Sequence, residues 1–232
     1  MTDQQPQSTD TPLTIGMVLY PDFTLLDLVG PQGVLGLHGK TLLLWKNMDP
    51  VPTETGLLMY PTTTFSECPD NLDVLFVPGG YGTNAAMQDE AVVDFLVRSG
   101  KTARYITSVC SGSLLLGMAG LLEGYKAATH WGCYGALAMS GAVPVHERVV
   151  IDRNRMSGGG VTAGIDFGLQ LLAQLRDENT AKTTQLVIEY DPQPPFRAGN
   201  PDQAGPEITA AAQALLGDMD EQMAKTLKAR RS

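Results

Sequence analysis

The sequence lacks the features that define several large classes of protein. No apolar run approaches the ~18 residues that a membrane-spanning helix requires. Cysteine occurs only at positions 68, 110 and 133, without C-x-x-C spacing, and no Cys/His cluster has the spacing of zinc ligands. The sequence therefore predicts neither a disulfide scaffold nor a metal centre, and the reducing cytoplasm is the expected compartment.

Basic residues are also scarce. Lys and Arg total 16 against 25 Asp and Glu, which gives a formal net charge of −9. Because binding to nucleic acid requires a basic face, nucleic acid is not an expected partner. The one basic cluster, KTLKARRS, follows a helical pattern, where it complements the helix dipole.

The length and composition are those of one globular α/β domain. The first segment, MTDQQPQSTDTP (1–12), lacks the apolar and basic regions of a signal peptide and is predicted to be a disordered tail. The domain is predicted over 13–200. A helical extension is predicted over 201–232, with its helix around 207–229 after a Pro/Gly-rich loop at 191–206.

Short apolar runs alternate with helical patterns along the chain. Strands are predicted at 14–20, 41–46, 72–80 and 103–110, and a helix at 84–100 separates the last two. Near-continuous apolar strands that alternate with helices indicate a parallel sheet with helices on both faces. The sequence therefore predicts an α/β fold with a mostly parallel sheet.

Cys110 ends one of these strands, directly before a leucine-rich helical pattern. Ligands of such sheets bind at the carboxyl ends of the strands. The small residues Ser111 and Gly112 leave room for the sharp, strained turn of a nucleophile elbow, which would expose the sulfur. The N-terminus of the following helix is expected to lower the pKa of the thiol. The alternative is that Cys110 is a small apolar core residue.

Asp27 interrupts the apolar segment LLDLVGP (25–31). Because it follows the first strand, it is expected at the same edge of the sheet as Cys110. Burial and an adjacent thiolate would raise the pKa of its carboxyl, and the two groups would titrate as a unit. The alternative is an aspartate that caps a helix or faces solvent.

Two glycine-rich turns complete the predicted pocket, VPGGYGT (77–83) and SGGGVTAG (157–164), where backbone N–H groups can approach a ligand closely. The second turn fits G-x-G-x-x-A, but no strand with a ribose-binding acid follows, so a dinucleotide is not predicted. His130 either reaches the cysteine as a base or serves as a structural hydrogen-bonding residue.

Taken together, these motifs resemble the ThiJ/PfpI superfamily over about residues 13–200. The resemblance is carried by VPGG, by the elbow cysteine, by the acid after the first strand and by GG-x-T-A-G-x-D before a long helix. Longer segments are similar to the isocyanide hydratase subgroup of that superfamily: LLDLVGP, TSVCSGSLLLGMAGLL, ATHWG, GAVPVHERVVIDRN and SGGGVTAGIDFGLQL.

The resemblance implies a flavodoxin-like sandwich, a homodimer, no cofactor and no metal. It implies Cys110 as the nucleophile and Asp27 as the acid, because the subgroup uses aspartate where many members of the superfamily use glutamate. The implied reaction converts an isocyanide and water to an N-substituted formamide through a covalent cysteine thioimidate.

The resemblance also suggests which residues surround the substrate. Ser111, together with N–H groups near Gly79, Gly80 and Gly159, is expected to position the thiolate, water or substrate. Val161 is expected to affect the width of the pocket. The subgroup often has Thr at the position of Ser111, so this residue keeps a hydroxyl there, whereas the protease-like branch has His.

Two alternatives from other functional classes remain open. A glyoxalase or deglycase could act on 2-oxoaldehydes through the same cysteine, with His130 or another base moving a carbon-bound proton. A ligand or redox sensor could use an accessible, low-pKa thiolate that oxidises readily. Regulators that fuse such a domain to an AraC-type DNA-binding region are disfavoured, because only about 30 residues follow the Pro-rich loop, too few for two helix-turn-helix units.

Overall fold

The computed structural model describes residues 11–231, so most of the predicted tail lies outside the described residues. The strands in this part of the chain are β1 (Leu13–Val18), β2 (Gly39–Trp45), β3 (Val51–Pro52), β4 (Leu58–Met59), β5 (Thr63–Thr64), β6 (Val74–Val77), β7 (Tyr105–Val109), β8 (Lys126–Ala127), β9 (Val143–Pro144), β10 (Val149–Asp152) and β11 (Arg155–Gly158).

The described residues form a seven-stranded central sheet in the order β10-β11-β7-β6-β1-β2-β5. Its pairs are parallel except at one edge, where β10 and β11 are antiparallel. The predicted, mostly parallel sheet is therefore confirmed. Because β6, β7 and β1 are central and parallel, their carboxyl ends meet at one edge, where a site is expected.

Helices cover this sheet. They are α1 (Leu25–Leu35), α2 (Thr83–Gln88), α3 (Glu90–Ser99), α4 (Gly112–Met118), α5 (Tyr134–Met139), α6 (Ala163–Leu175), α7 (Glu178–Val187), α8 (Pro201–Leu216) and α9 (Met219–Arg231). Among the described residues, no helix combines the length and apolar character that a bilayer crossing demands.

Two helical regions of the structure differ from those predicted from the sequence. The predicted helix at 84–100 is two helices, because the Asp89 side chain accepts a hydrogen bond from the Ala91 N–H at 3.0 Å and caps a new helix there. Helix α1 is not evident from the sequence, because Gly30, Pro31 and Gly33 weaken its helical pattern.

The C-terminal segment also differs from its prediction. The predicted helix around 207–229 is interrupted between Leu216 and Met219, where α8 ends and α9 begins. Its predicted start agrees with the structure, because α8 is kinked at Gly205, whose φ is 77°, and only a short helical piece precedes that kink. Helix α9 packs on α5 and α2 of the same chain, with Met223 and Leu227 buried. These two apolar side chains join the C-terminal segment to the hydrophobic core.

Candidate active site

Cys110 occupies a strained turn between β7 and α4. Its φ of 58° lies in the left-handed region, which is unfavourable for a residue with a side chain. The turn is held by hydrogen bonds on both sides: the Cys110 N–H donates to the carbonyls of Gly158 (3.1 Å) and Gly159 (2.8 Å), and its carbonyl accepts from the hydroxyls of Thr129 (3.0 Å) and Ser113 (3.2 Å). This geometry is that of a nucleophile elbow.

The elbow packs so closely on the end of β6 that only glycine fits at two positions. A Cβ at Gly112 would lie 2.3 Å from the Val77 carbonyl oxygen, and a Cβ at Gly79 would lie 2.5 Å from the Ser111 nitrogen. The prediction that small residues make the turn possible is confirmed for Gly112.

Asp27 lies on the first turn of α1 and is completely buried. Its Oδ2 accepts a hydrogen bond from the Gly79 N–H at 2.8 Å, and the Gly79 carbonyl accepts from the Thr24 N–H at 2.8 Å. Among the described residues, Oδ1 has no hydrogen-bond partner of normal geometry. Within the described residues, the carboxyl group is therefore fixed through Oδ2.

Burial raises the pKa of Asp27 to about 7. The Gly79 N–H and the Cys110 side chain oppose this increase in pKa, whereas the negative charge of Glu54 adds to it. The pKa of Asp27 is therefore sensitive to the Cys110 thiol, as expected for a pair that shares a proton.

The expectation of a lowered thiol pKa at Cys110 is wrong. Burial raises the pKa of this thiol well above its usual value, and the charges of Asp27 and Cys133 raise it further. Hydrogen bonds from Ser111 lower it but do not compensate. The seven-residue helix α4 cannot offset the loss of water around the sulfur, so the resting cysteine is a thiol beside a carboxyl group.

Ser111 is buried behind the elbow in a hydroxyl network. Its Oγ accepts from the Gly80 N–H at 3.0 Å and lies 2.8 Å from the Thr83 Oγ1, which donates to the Gly80 carbonyl at 2.7 Å. The Tyr20 hydroxyl lies 3.1 Å from the Thr83 Oγ1 and donates to the Pro78 carbonyl at 2.7 Å. This network fixes the orientation of the Ser111 hydroxyl.

A cavity of about 150 Å³, called the Cys110 cavity below, opens onto this site. Its lining is mostly apolar and consists of Thr24, Gly80, Tyr81, Cys110, Ser111, His130, Cys133, Val161, Leu216 and Met219. Of the predicted substrate-binding residues, Ser111, Gly80 and Val161 line it.

The other two predicted substrate-binding residues, Gly79 and Gly159, are absent from that lining among the described residues. The Gly79 N–H holds Asp27, and the Gly159 N–H donates to the Arg148 carbonyl at 2.9 Å. Both N–H groups are therefore occupied by the protein itself. Gly79 fixes the Asp27 carboxyl, and the Gly159 carbonyl accepts a hydrogen bond from the elbow at the Cys110 N–H.

His130 lines the Cys110 cavity, but its Nδ1 accepts a hydrogen bond from the Gly132 N–H at 3.2 Å. Burial lowers its pKa, so the imidazole is neutral near pH 7. Cys133 also lines the cavity, and burial raises the pKa of its thiol to about 12. Within the described residues, no group of three or more His, Cys, Asp or Glu could hold a metal ion.

The predicted turn VPGGYGT (77–83) contains Tyr81, which lines the cavity, and Thr83, which lies behind it, although neither was predicted individually. Sequence reasoning did not identify Thr24, Leu216 and Met219 in the cavity wall or Tyr20 and Thr129 behind it. Leu216 and Met219 belong to a helical segment remote in sequence, with no local pattern that links them to the elbow.

The fold and the site define a class of protein: a flavodoxin-like α/β protein with a nucleophile-elbow cysteine and a buried acid. Within that class, the chain belongs to the DJ-1/PfpI family, whose model matches residues 14–174. The structure of a ThiJ/PfpI family protein from Pseudomonas syringae is similar, with a TM-score of 0.92 and 46% identity over 98% of this chain and 97% of that one.

Two curated relatives bear on function. An isonitrile hydratase of Pseudomonas putida is 46% identical over 94% of this chain and 93% of its own length. The HTH-type transcriptional regulator GbdR of Pseudomonas aeruginosa is 32% identical over 80% of this chain, which matches 53% of the regulator's length.

Proposed function

We propose that this protein is an isocyanide hydratase, which converts R–N≡C and water to the formamide R–NH–CHO. The observation that carries the proposal is the buried Asp27 carboxyl, which Gly79 holds through one oxygen and whose pKa responds to the elbow cysteine. Cys110 lines the Cys110 cavity, and Asp27 is completely buried and is not among the lining residues. Near-full-length similarity to an isonitrile hydratase, isonitrile being another word for isocyanide, supports it.

In the proposed first step, the Cys110 thiol passes its proton to the Asp27 carboxylate as the sulfur attacks the terminal carbon of the isocyanide. Asp27 then delivers this proton to the same carbon, which gives the thioimidate R–N=CH–S–Cys. The sulfur electron pair forms the S–C bond, and one N–C π bond becomes the lone pair on nitrogen. The lone pair of the isocyanide carbon takes up the proton and forms the C–H bond. A carboxyl group with a pKa near 7 can accept and release this proton at neutral pH.

In the second step, Asp27 takes a proton from water as the water oxygen adds to the thioimidate carbon, and it passes that proton to nitrogen. The C–S bond then breaks, the carbonyl forms, and the hydroxyl proton returns to the Cys110 and Asp27 pair. The resting state is restored with one proton on the pair. Ser111, fixed by Gly80 and Thr83, orients the water or the substrate.

The test is turnover by the wild-type protein of phenyl isocyanide beside methylglyoxal, with N-phenylformamide and lactate quantified by chromatography. Catalytic formamide production, with no lactate, supports the proposal. Lactate without formamide would favour the glyoxalase alternative. Stoichiometric oxidation by peroxide, with turnover of neither substrate, would favour the sensor.

We further propose that the protein is a cytoplasmic homodimer. Cys68, Cys110 and Cys133 are free thiols, which suits a reducing compartment. The dimer rests on the resemblance to the family, and light scattering on the purified protein tests it: a mass near twice 24.8 kDa supports it and a mass near 24.8 kDa contradicts it.

A further inference from the structure

The outer wall of the Cys110 cavity comes from the C-terminal segment. Leu216, the last residue of α8, and Met219, the first of α9, line the same cavity as Cys110. Between them, Gly217 has a φ of 62°, which turns the chain so that both side chains face one space. The neighbouring Leu215 points away and is 80% exposed.

Contacts with the domain fix this wall. A Cβ at Gly132 would lie 2.7 Å from Cδ1 of Leu216, so the leucine rests directly on the backbone of the short turn Trp131–Cys133. Asp220, next to Met219, accepts a hydrogen bond from the Ala136 N–H at 2.7 Å and so caps α5. The wall is therefore a built part of the cavity.

The cavity is small relative to the range of substituents that an isocyanide can carry. An apolar cavity of about 150 Å³ is known to accommodate a benzene-sized molecule, and the volume of the Cys110 cavity is about 150 Å³. The cavity has space for about one six-membered ring, and a fused second ring would extend against the side chains that line its outer part. Leu216 and Met219 are the two lining residues that come from the C-terminal helices, so they can be shortened without altering the elbow or the turn after β6. The remaining lining residues outside the elbow are Thr24, Gly80, Tyr81, His130, Cys133 and Val161.

We propose that Leu216 and Met219 set the upper size limit of the substituent R, an inference that rests on the proposed isocyanide hydratase function. Leu216 lines the cavity over Gly132, and Met219 lines it at the start of α9, the helix that packs on α5. Removal of either side chain opens space for a second ring without altering Cys110 or Asp27.

The test compares kcat/KM for phenyl isocyanide and 2-naphthyl isocyanide in wild type, Leu216→Ala, Met219→Ala and the matched control Leu215→Ala. We expect Leu216→Ala and Met219→Ala to raise the naphthyl-to-phenyl ratio by about tenfold or more, the usual effect of a few methylene groups in an apolar pocket. Leu215→Ala should leave the ratio at the wild-type value. An unchanged ratio in both Leu216→Ala and Met219→Ala, with wild-type melting temperatures, would overturn the proposal.

A second readout separates failure of this proposal from failure of the hydratase function. If wild type hydrates neither isocyanide, access to Cys110 is measured instead by alkylation with N-phenyl and N-naphthyl iodoacetamides, followed by peptide mass spectrometry. A naphthyl-to-phenyl alkylation ratio that rises in Leu216→Ala and not in Leu215→Ala supports the size limit. Equal ratios in all variants would overturn it.

Discussion

The Gly79 N–H donates a hydrogen bond of 2.8 Å to Oδ2 of Asp27, and this contact fixes the orientation of a completely buried carboxyl group. The same glycine approaches the elbow so closely that a Cβ on it would lie 2.8 Å from the Cβ of Cys110. One residue at the end of β6 therefore positions the acid and packs against the nucleophile. The relative placement of the two reacting groups follows from the backbone of the sheet.

The pH dependence of activity should report the Asp27 carboxyl. Its pKa is raised to about 7 by burial, so below that pH it is protonated and cannot accept the thiol proton. We expect kcat/KM for phenyl isocyanide, corrected for spontaneous hydrolysis, to rise through about pH 7 and then level off, because the raised thiol pKa of Cys110 lies above this range. A flat profile between pH 5.5 and 8.5 would contradict this role for Asp27.

The free energy of unfolding should also depend on the ionisation of Asp27. It should decrease as the pH rises, whereas kcat/KM should increase. The pKa of this carboxyl is 3.8 in the unfolded state and about 7 in the folded state. Its contribution to the free energy of unfolding is therefore fully present below pH 3.8 and is lost as the pH rises through about 7. The free energy of unfolding of wild type, relative to that of Asp27→Asn, should therefore be larger at low pH than at neutral pH, because asparagine does not titrate. Urea denaturation of both proteins at pH 4.5 and 7.5 measures this difference, and a difference independent of pH would contradict the raised pKa.

Ser111→Ala should lower kcat/KM by about 10- to 100-fold, because the hydroxyl that orients the reactants is lost. It should also destabilise the fold by about 1–3 kcal/mol, since the buried Gly80 N–H loses its acceptor. Ser111→Thr keeps the hydroxyl and is expected to retain most of the activity. Steady-state kinetics and urea denaturation measure both effects. Equal losses of kcat/KM and of the free energy of unfolding in Ser111→Ala and Ser111→Thr would contradict a role for the hydroxyl.

Gly112→Ala should destabilise the protein by about 1–3 kcal/mol through overpacking, because the added Cβ would lie 2.3 Å from the Val77 carbonyl oxygen. The matched control is Gly33→Ala in α1, where an added Cβ meets nothing within 4 Å. That substitution should stabilise by about 0.5–1 kcal/mol through helix propensity. Equal effects in thermal and urea unfolding would contradict the close packing of the elbow.

Cys110 should be alkylated slowly at neutral pH. Because burial and Asp27 raise its thiol pKa, the thiolate is scarce, and the rate with iodoacetamide should still increase with pH above 9. Peptide mass spectrometry separates this rate from that of the half-buried Cys68. A rate that levels off below pH 7 would indicate a low-pKa thiolate and support the sensor alternative.

The sequence was sufficient to predict the parallel sheet and the two residues at its edge. Strand patterns and small residues after Cys110 are local signals, and the isolated Asp27 stands out within an apolar segment. The sign of the thiol pKa shift was not predictable, because the helix N-terminus is visible in the sequence but the depth of burial is not. Burial is the larger effect at this sulfur.

The residues around the Cys110 and Asp27 pair could not be predicted either, because their positions also depend on tertiary contacts. Tyr20, just after β1, and Thr83, at the start of α2, meet because β1 and β6 are neighbours in the sheet, and no local sequence pattern marks that contact. Leu216 and Met219 reach the cavity because α9 packs on α5, a contact about 80 residues apart in the chain. Contacts of this kind depend on the assembled fold.

The most direct test of the account is formation of N-phenylformamide from phenyl isocyanide by wild type, Cys110→Ala and Asp27→Asn, measured side by side by ultraviolet absorbance and chromatography. We predict catalytic turnover by wild type, none above background by Cys110→Ala, and a loss of about 100-fold or more in Asp27→Asn. Turnover that survives in Cys110→Ala would contradict the assignment of Cys110 as the nucleophile, and with it the covalent mechanism.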